Sequence, residues 1–212
     1  MQLNRKFEIS SSQKIAEFLN SQPVGRIASI DKQGFPQVIP MNFVFIDGAI
    51  YMHSHPFGEK LQNIKNNPNV GFEVDKHICF LPSYYFHPTD ASQADTLYIS
   101  VVIKGLAQII SNSAEKAKAL NGLMEKYQKE GGYEPVRPSD HSVEEVSIIK
   151  VVPNEMRGKY KIGQHWPGPY RVKMARNILK REGLHEGKSI LDIMRMRIRT
   201  DGSLEILGEP VL

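Results

Sequence analysis

Short apolar runs alternate with turn residues between Gly25 and Asp75. Their spacing predicts strand, turn, strand, tight hairpin, strand, helix and strand. Residues 25–31 read as a buried strand, closed by a turn at Lys32-Gln33-Gly34. Residues 36–46 carry β-branched and aromatic side chains and form one long second strand. Asp47-Gly48 is a two-residue hairpin signal, which makes residues 49–54 a third strand antiparallel to the second. A helix follows over residues 56–67, with Leu61 and Ile64 on its apolar side and Asn66-Asn67-Pro68 as its stop.

Outside this stretch the pattern continues in the same style. Ser10 to Ser12 supply caps for a short helix whose Ile15, Phe18 and Leu19 share one face. Residues 69–75 and 78–80 form a fourth strand, long and bent, and residues 83–94 read as a loop. Residues 97–110 make a fifth strand with Gly105 inside it, the mark of a bulge or a barrel corner. Residues 113–129 form a helix and residues 143–153 a sixth strand. The expected fold is mainly β within the α+β class: a six-stranded antiparallel Greek-key split barrel with flanking helices and a C-terminal extension. The domain division is residues 1–156 for the barrel and 157–212 for the extension. That extension opens on an irregular glycine- and proline-rich segment around Trp166. A helix over 170–181 follows, then a stretch at 189–199 that reads as either strand or helix.

Composition narrows the classes. With 212 residues, 41% hydrophobic and 24% charged, the chain has the make-up of a soluble globular protein. It contains no apolar run of the roughly 18 to 20 residues a bilayer span needs. The N-terminal MQLNRKFEISSS lacks the apolar centre of a secretion signal, and the single cysteine, Cys79, excludes an internal disulfide, so the expected compartment is the cytoplasm. The net charge of +4 is uneven: residues 1–154 sum to −1, residues 155–200 to +8 and residues 201–212 to −3. No nucleic-acid fingerprint accompanies the basic stretch, so it reads as a solvated surface or a rim that attracts anionic ligands. His53 and His55, and likewise His77 and Cys79, would share strand faces, but no second pair supplies a structural-zinc spacing, and no metal site is expected. There is neither a G-x-G-x-x-G after a strand nor a P-loop.

The third strand ends in His53-Ser54-His55, and Lys60 lies at the start of the next helix. Hydroxyl, imidazole, ammonium and helix N-terminal amides are thereby gathered where a phosphate-bearing cofactor would bind. The matching pieces are Gly25-Arg26-Ile27-Ala28-Ser29, Pro36, Pro40-Met41-Asn42-Phe43-Val44, Tyr51-Met52-His53-Ser54, Gly58-Glu59-Lys60 and Asn66-Asn67-Pro68-Asn69-Val70, with Ser100-Val101 and Gly105 in order behind them. In that order, over about residues 10 to 155, the chain resembles the flavin-binding split-barrel proteins related to pyridoxamine 5′-phosphate oxidase. The likeness is strongest to the branch that includes nitroimidazole-resistance reductases. What the resemblance implies is FMN held at the subunit interface of a homodimer. The segment Pro40, Met41, Asn42, Phe43 and Val44 would run beside the flavin ring and meet it with main-chain groups, His53, Ser54 and Lys60 would hold the phosphate, and Arg26 would reach the ribityl or phosphate region or else face solvent. Trp166 is either core or part of a lid over the flavin. The tail departs from the arginine-rich C-terminal signature of true pyridoxamine-phosphate oxidases.

Two functional classes follow. The first is an FMN-dependent oxidoreductase that takes electrons from NADH or NADPH and passes them to a small oxidised substrate, with no acid–base triad and with His53 or His55 as a proton donor near the flavin. The second is a flavin- or haem-binding sensor, store or carrier, in which His165 or His185 would be the axial ligand.

Overall fold

The computed structural model describes residues 5–210 of the chain. The first four residues, part of the N-terminal stretch read for a targeting signal, and the last two lie outside the described residues. In chain order the elements are β1 (Glu8–Ile9), α1 (Ser12–Ser21), β2 (Gly25–Ile30), β3 (Pro36–Met41), β4 (Val44–Ile46), β5 (Ala49–Ser54) and α2 (Glu59–Asn66). Then come β6 (Asn69–Leu81), β7 (Asp95–Ile110), α3 (Ser113–Tyr127), α4 (His141–Glu144), β8 (Ser147–Lys161), α5 (Gly168–Ile193), β9 (Met196–Ile198) and β10 (Leu204–Ile206). Among the described residues no helix is long and apolar enough to cross a membrane.

Local chemistry explains most of these boundaries. The Ser11 hydroxyl accepts from the Lys14 amide at 3.3 Å to start α1, and Asn112 accepts from the Glu115 amide at 2.9 Å to start α3. Asp47 and Gly48 have φ of 49° and 77°, the paired positive angles of a two-residue hairpin turn, and Ile46 lies opposite Ala49. Gly105 is small for a steric reason: a Cβ there would lie 2.4 Å from the Val152 carbonyl oxygen.

The main sheet runs β3-β2-β6-β7-β8-β5-β4, with β1 added on β8. Among the described residues it therefore holds eight strands where the sequence pattern predicts six. Of the two additional strands, one is β1 and the other comes from residues 36–46, expected as one strand. Those residues form two, β3 and β4, broken at Asn42 and Phe43. β3 pairs with β2, setting Gly25 opposite Met41, while β4 pairs with β5, setting Val44 opposite Tyr51. The two ends of the antiparallel split-barrel sheet are thus halves of one chain segment. Phe43 turns inward at this point, fully buried, with its ring edge-on to Phe72 at 5.1 Å.

Other boundaries differ as well. Val143, expected in a strand, is buried from α4, and β8 begins at Ser147 and runs on to Lys161. The expected loop at 83–94 contains two single turns of 3₁₀-helix, at Ser83–Tyr85 and Ala91–Gln93. The two segments 170–181 and 189–199 share one helical run, α5, interrupted at Gly183 (φ 79°, ψ 175°) and followed by β9.

The chain folds as two compact units. One takes Ser10–Asp75 and Val101–Gly158; the other takes the N-terminal residues through Ile9, Lys76–Ser100, and Lys159 to the C-terminus. The C-terminal residues therefore share their unit with the distal halves of β6 and β7, which the sequence reading kept in the barrel. The first unit has a cluster of Val44, Ala49, Tyr51, Ala119, Leu123 and Ile148 between the β4–β5 hairpin and α3. In the second, Leu81, Tyr85 and Leu97 pack with Trp166, Met174, Ile178 and Leu191. That tail is amphipathic and has its own core to bury against.

Candidate functional site

In the first unit, the end of β3, the end of β5 and the start of α2 surround a surface cleft of about 530 Å³. β3 contributes Gln37, Ile39, Pro40 and Met41, and the chain break contributes Asn42. β5 ends there with His53 and Ser54, and the turn of His55, Phe57 and Gly58 leads into Glu59 and Lys60 of α2. Gln37, Ile39 and Met41 share one side of β3 because side chains on a strand alternate, with a period of about two residues.

The turn is tightly specified. The Ser54 hydroxyl donates to the His55 carbonyl at 3.1 Å, and the Phe57 amide donates to His55 Nδ1 at 3.3 Å. Gly58, the residue before α2, has φ 148° and offers no side chain to cap the helix. The first amides of α2 consequently have no intrahelical acceptor and no side-chain cap, which leaves their positive ends at the cleft.

Among the described residues, Lys60 is the only lysine or arginine lining this cleft. Its Nζ contacts Met41 Sδ at 3.2 Å, and burial pulls its pKa below the ordinary lysine value with no carboxylate to offset the shift. A half-buried ammonium in contact with a thioether is under-satisfied, and an incoming anion would supply what it lacks. The nearby carboxylate of Glu59 is held by Gln37 Nε2 at 2.5 Å. Gln37 in turn accepts from Asn63 at 3.2 Å, and Asn63 is buried and reaches Ser29 Oγ at 3.5 Å. This chain of amides fixes α2 against β2 and β3 and ties up Glu59, the one acidic side chain at the cleft among the described residues.

Six of the ten residues singled out from the sequence converge here: Pro40, Met41, Asn42, His53, Ser54 and Lys60. Four do not line the cleft. The Arg26 guanidinium, on β2, pairs with Glu73 at 3.0 Å and Asp75 at 2.5 Å, which raises its pKa and neutralises its charge. Phe43 and Val44 point into core, Phe43 fully buried and Val44 in the cluster against α3. Trp166 is 7% exposed in the core of the second unit, edge-on to Tyr170, so its ring takes the core alternative. Gln37, Ile39, Phe57 and Glu59 were not singled out. The alternation of β3 carried the signal for Gln37 and Ile39; nothing local marks Phe57.

The other polar candidates are accounted for elsewhere. Cys79 is buried, with its thiol pushed up to about 11, mainly by that burial. Among the described residues no group of His, Cys, Asp and Glu side chains is gathered as a metal site. The basic surplus of the tail is partly paired: Arg197 and Arg199 share Glu205, at 2.5 and 3.0 Å, and hold its carboxyl at about 2. Arg171 is buried and meets the Gly208 carbonyl at 2.8 Å and Glu209 at 3.5 Å.

Residues 11–160 match the family described as pyridoxamine 5′-phosphate oxidase. The chain belongs to that family. The split-barrel fold recurs in solved structures. A protein from Bacteroides thetaiotaomicron described as a 5-nitroimidazole antibiotic resistance protein is 25% identical, with TM-score 0.58 over 72% of this chain and 85% of that one. A flavocytochrome from Azotobacter vinelandii is 17% identical, with TM-score 0.63 over 76% of this chain and 72% of that one. An FAD- and haem-binding protein from Mycobacterium smegmatis is 14% identical, with TM-score 0.59 over 73% of each chain. A comparison with curated proteins finds no match. The family match covers α1 through nearly all of β8, so the cleft lies within the family's part of the chain and α5 to β10 lie outside it.

Proposed function

We propose that this member of the pyridoxamine 5′-phosphate oxidase family is an FMN-binding oxidoreductase and that the cleft between β3, β5 and α2 holds the cofactor. The observation that carries this is Lys60: a half-buried ammonium with no carboxylate partner, beside Ser54 and the uncapped start of α2. That donor set suits a phosphate monoester. The cleft volume, about 530 Å³, falls within the ~300–1,000 Å³ usual for cofactor sites. Lys60, Ser54 and the first amides of α2 would bind the phosphate, and Pro40, Met41 and Asn42 would flank the flavin ring. Bound flavin supplies hydride and electron transfer. The chain's own part is to orient it, to limit water at one side and to present His53 and His55 as polar groups at the rim.

A nicotinamide nucleotide is the proposed donor and a small oxidised compound the acceptor, in a cytoplasmic homodimer. The dimer is supported by apolar side chains left open on and beside β3 and at the cleft: Phe35, Val38 and Phe57 are 68%, 57% and 81% exposed. Phe57 lines the cleft itself, so a second copy covering it would complete the site. The haem alternative has less support. His185 is 96% exposed beside Glu186, and the exposed His165 has its ring against Phe7 and Trp166.

The test is direct. Purified protein should be yellow or take up FMN with quenching of flavin fluorescence, and the loaded protein should oxidise NADH or NADPH in the presence of a nitroaromatic or quinone acceptor. A protein that ignores added FMN refutes the reading; one that binds FMN without turnover supports the store or carrier alternative.

A further inference from the structure

The cleft wall contains the β3–β4 break, and a distant side chain holds that break in place. Asn42 lines the cleft, and Phe43 is the next residue. Phe43 is fully buried, so its backbone groups have no water to turn to. Its amide donates to the Tyr127 hydroxyl at 2.9 Å. The same hydroxyl lies 2.6 Å from the Pro23 carbonyl and 3.1 Å from the Phe43 carbonyl. A phenol has one hydrogen to donate and lone pairs to accept with, so Tyr127 accepts from the Phe43 amide while donating to one of the two carbonyls. Burial raises its pKa, which keeps the donor hydrogen in place at neutral pH. From the same turn of α3, Lys126 Nζ stands 3.6 Å from the centre of the Phe43 ring and donates to the Leu19 carbonyl at 3.1 Å. The break is therefore gripped at its backbone by Tyr127 and at its ring by Lys126, both 80 or more residues away in sequence.

We propose that Tyr127 is a positioning residue for the cofactor cleft: its hydroxyl fixes the backbone at Phe43 and thereby the placement of Met41 and Asn42 in the cleft wall. The cofactor consequence rests on the flavin reading above. Tyr127 touches no part of the cleft itself, so its effect must pass through the break. Lys60, by contrast, serves only a phosphate.

Tyr127→Phe removes the hydroxyl and keeps the ring. In the full-length protein without flavin, hydrogen exchange at the Phe43 amide should speed up by roughly tenfold or more, since its acceptor is gone. FMN and riboflavin should each bind roughly tenfold more weakly, by the same factor, because a buried amide left unpaired costs the cleft its shape. The visible absorption of bound flavin should shift as well. Ile103 is fully buried in the same unit and does not line the cleft, so an Ile103→Ala control should lower stability but leave the bound spectrum and both affinities unchanged when measured well below its melting temperature. Unchanged protection at Phe43 overturns the proposal. So does lost protection with wild-type flavin affinity and spectrum. A wild-type protein that binds neither flavin refutes the cofactor reading by itself, while the exchange data still decide whether Tyr127 holds the break.

Discussion

Replacing Lys60 with methionine keeps the apolar stem that packs on Met41 and removes only the charge. In the unliganded protein that charge is a burden. Its Nζ sits against a thioether, and burial lowers its pKa from the ordinary 10.5. A lysine whose folded pKa is lowered holds its proton more weakly in the folded state than in the unfolded one. Stability therefore carries a constant penalty at low pH and rises with pH between the lowered folded value and the unfolded value. Lys60→Met lacks this penalty, so its melting temperature without flavin should equal or exceed that of wild type at pH 7. Ligand binding should move the other way. A charge-assisted contact contributes about 1.5 to 3 kcal/mol, which at about 1.4 kcal/mol per decade is roughly ten- to a hundredfold in FMN affinity. Riboflavin has no phosphate and should bind the two proteins equally. The assay is fluorescence-quenching titration with both flavins from pH 6 to 10. Wild-type FMN affinity should fall as pH rises through the lowered Lys60 pKa, with no such fall in the variant or with riboflavin. An equal loss for the two flavins, or a lower melting temperature in the variant, would show that Lys60 acts through the fold and would refute the phosphate assignment.

Three more outcomes follow from the same geometry. Gly105→Ala should destabilise the protein by about 1 to 3 kcal/mol in urea unfolding, because the added Cβ meets the Val152 carbonyl, a backbone atom that cannot turn aside; wild-type stability would mean the strands re-space freely. Lys126 has its pKa lowered to about 8 by burial, so the stability of wild type relative to Lys126→Met should be flat below pH 8 and rise from pH 8 to about 10.5; a difference that falls over that window would contradict the burial. Sedimentation should give a particle of twice 24.0 kDa at micromolar concentration, and Val38→Glu, on the exposed side of β3, should release monomers that bind FMN more weakly; a wild-type monomer with tight FMN would refute the shared site.

How far the chain could be read from its sequence depended on distance along it. The hairpin at Asp47-Gly48, the helix α3 and the stop after α2 are set by neighbours within a few residues, and the pattern located them. Three of the cleft side chains, His53, Ser54 and Lys60, were found because they come from a strand end next to a helix start, although Phe57 and Glu59 between them were missed. What escaped was decided by partners far away. The chain from 36 to 46 reads as one β-branched strand, and nothing local shows that its halves pair with different neighbours or that Tyr127, 84 residues on, accepts from the amide at the break. Arg26 shows the same limit: its sequence neighbours offer no carboxylate, yet Glu73 and Asp75 reach it 47 and 49 residues away and absorb its charge. The tail was opaque for a related reason. Its apolar positions look weak in isolation because they pack against Leu81, Tyr85 and Leu97, residues that a linear reading keeps in the barrel. A binding cleft written in local groups but shaped by remote ones should tolerate changes at its rim better than changes at its anchors. Tyr127→Phe, which loses one oxygen outside the cleft, is therefore expected to weaken both flavins, whereas Lys60→Met, inside the cleft, weakens only the one with a phosphate.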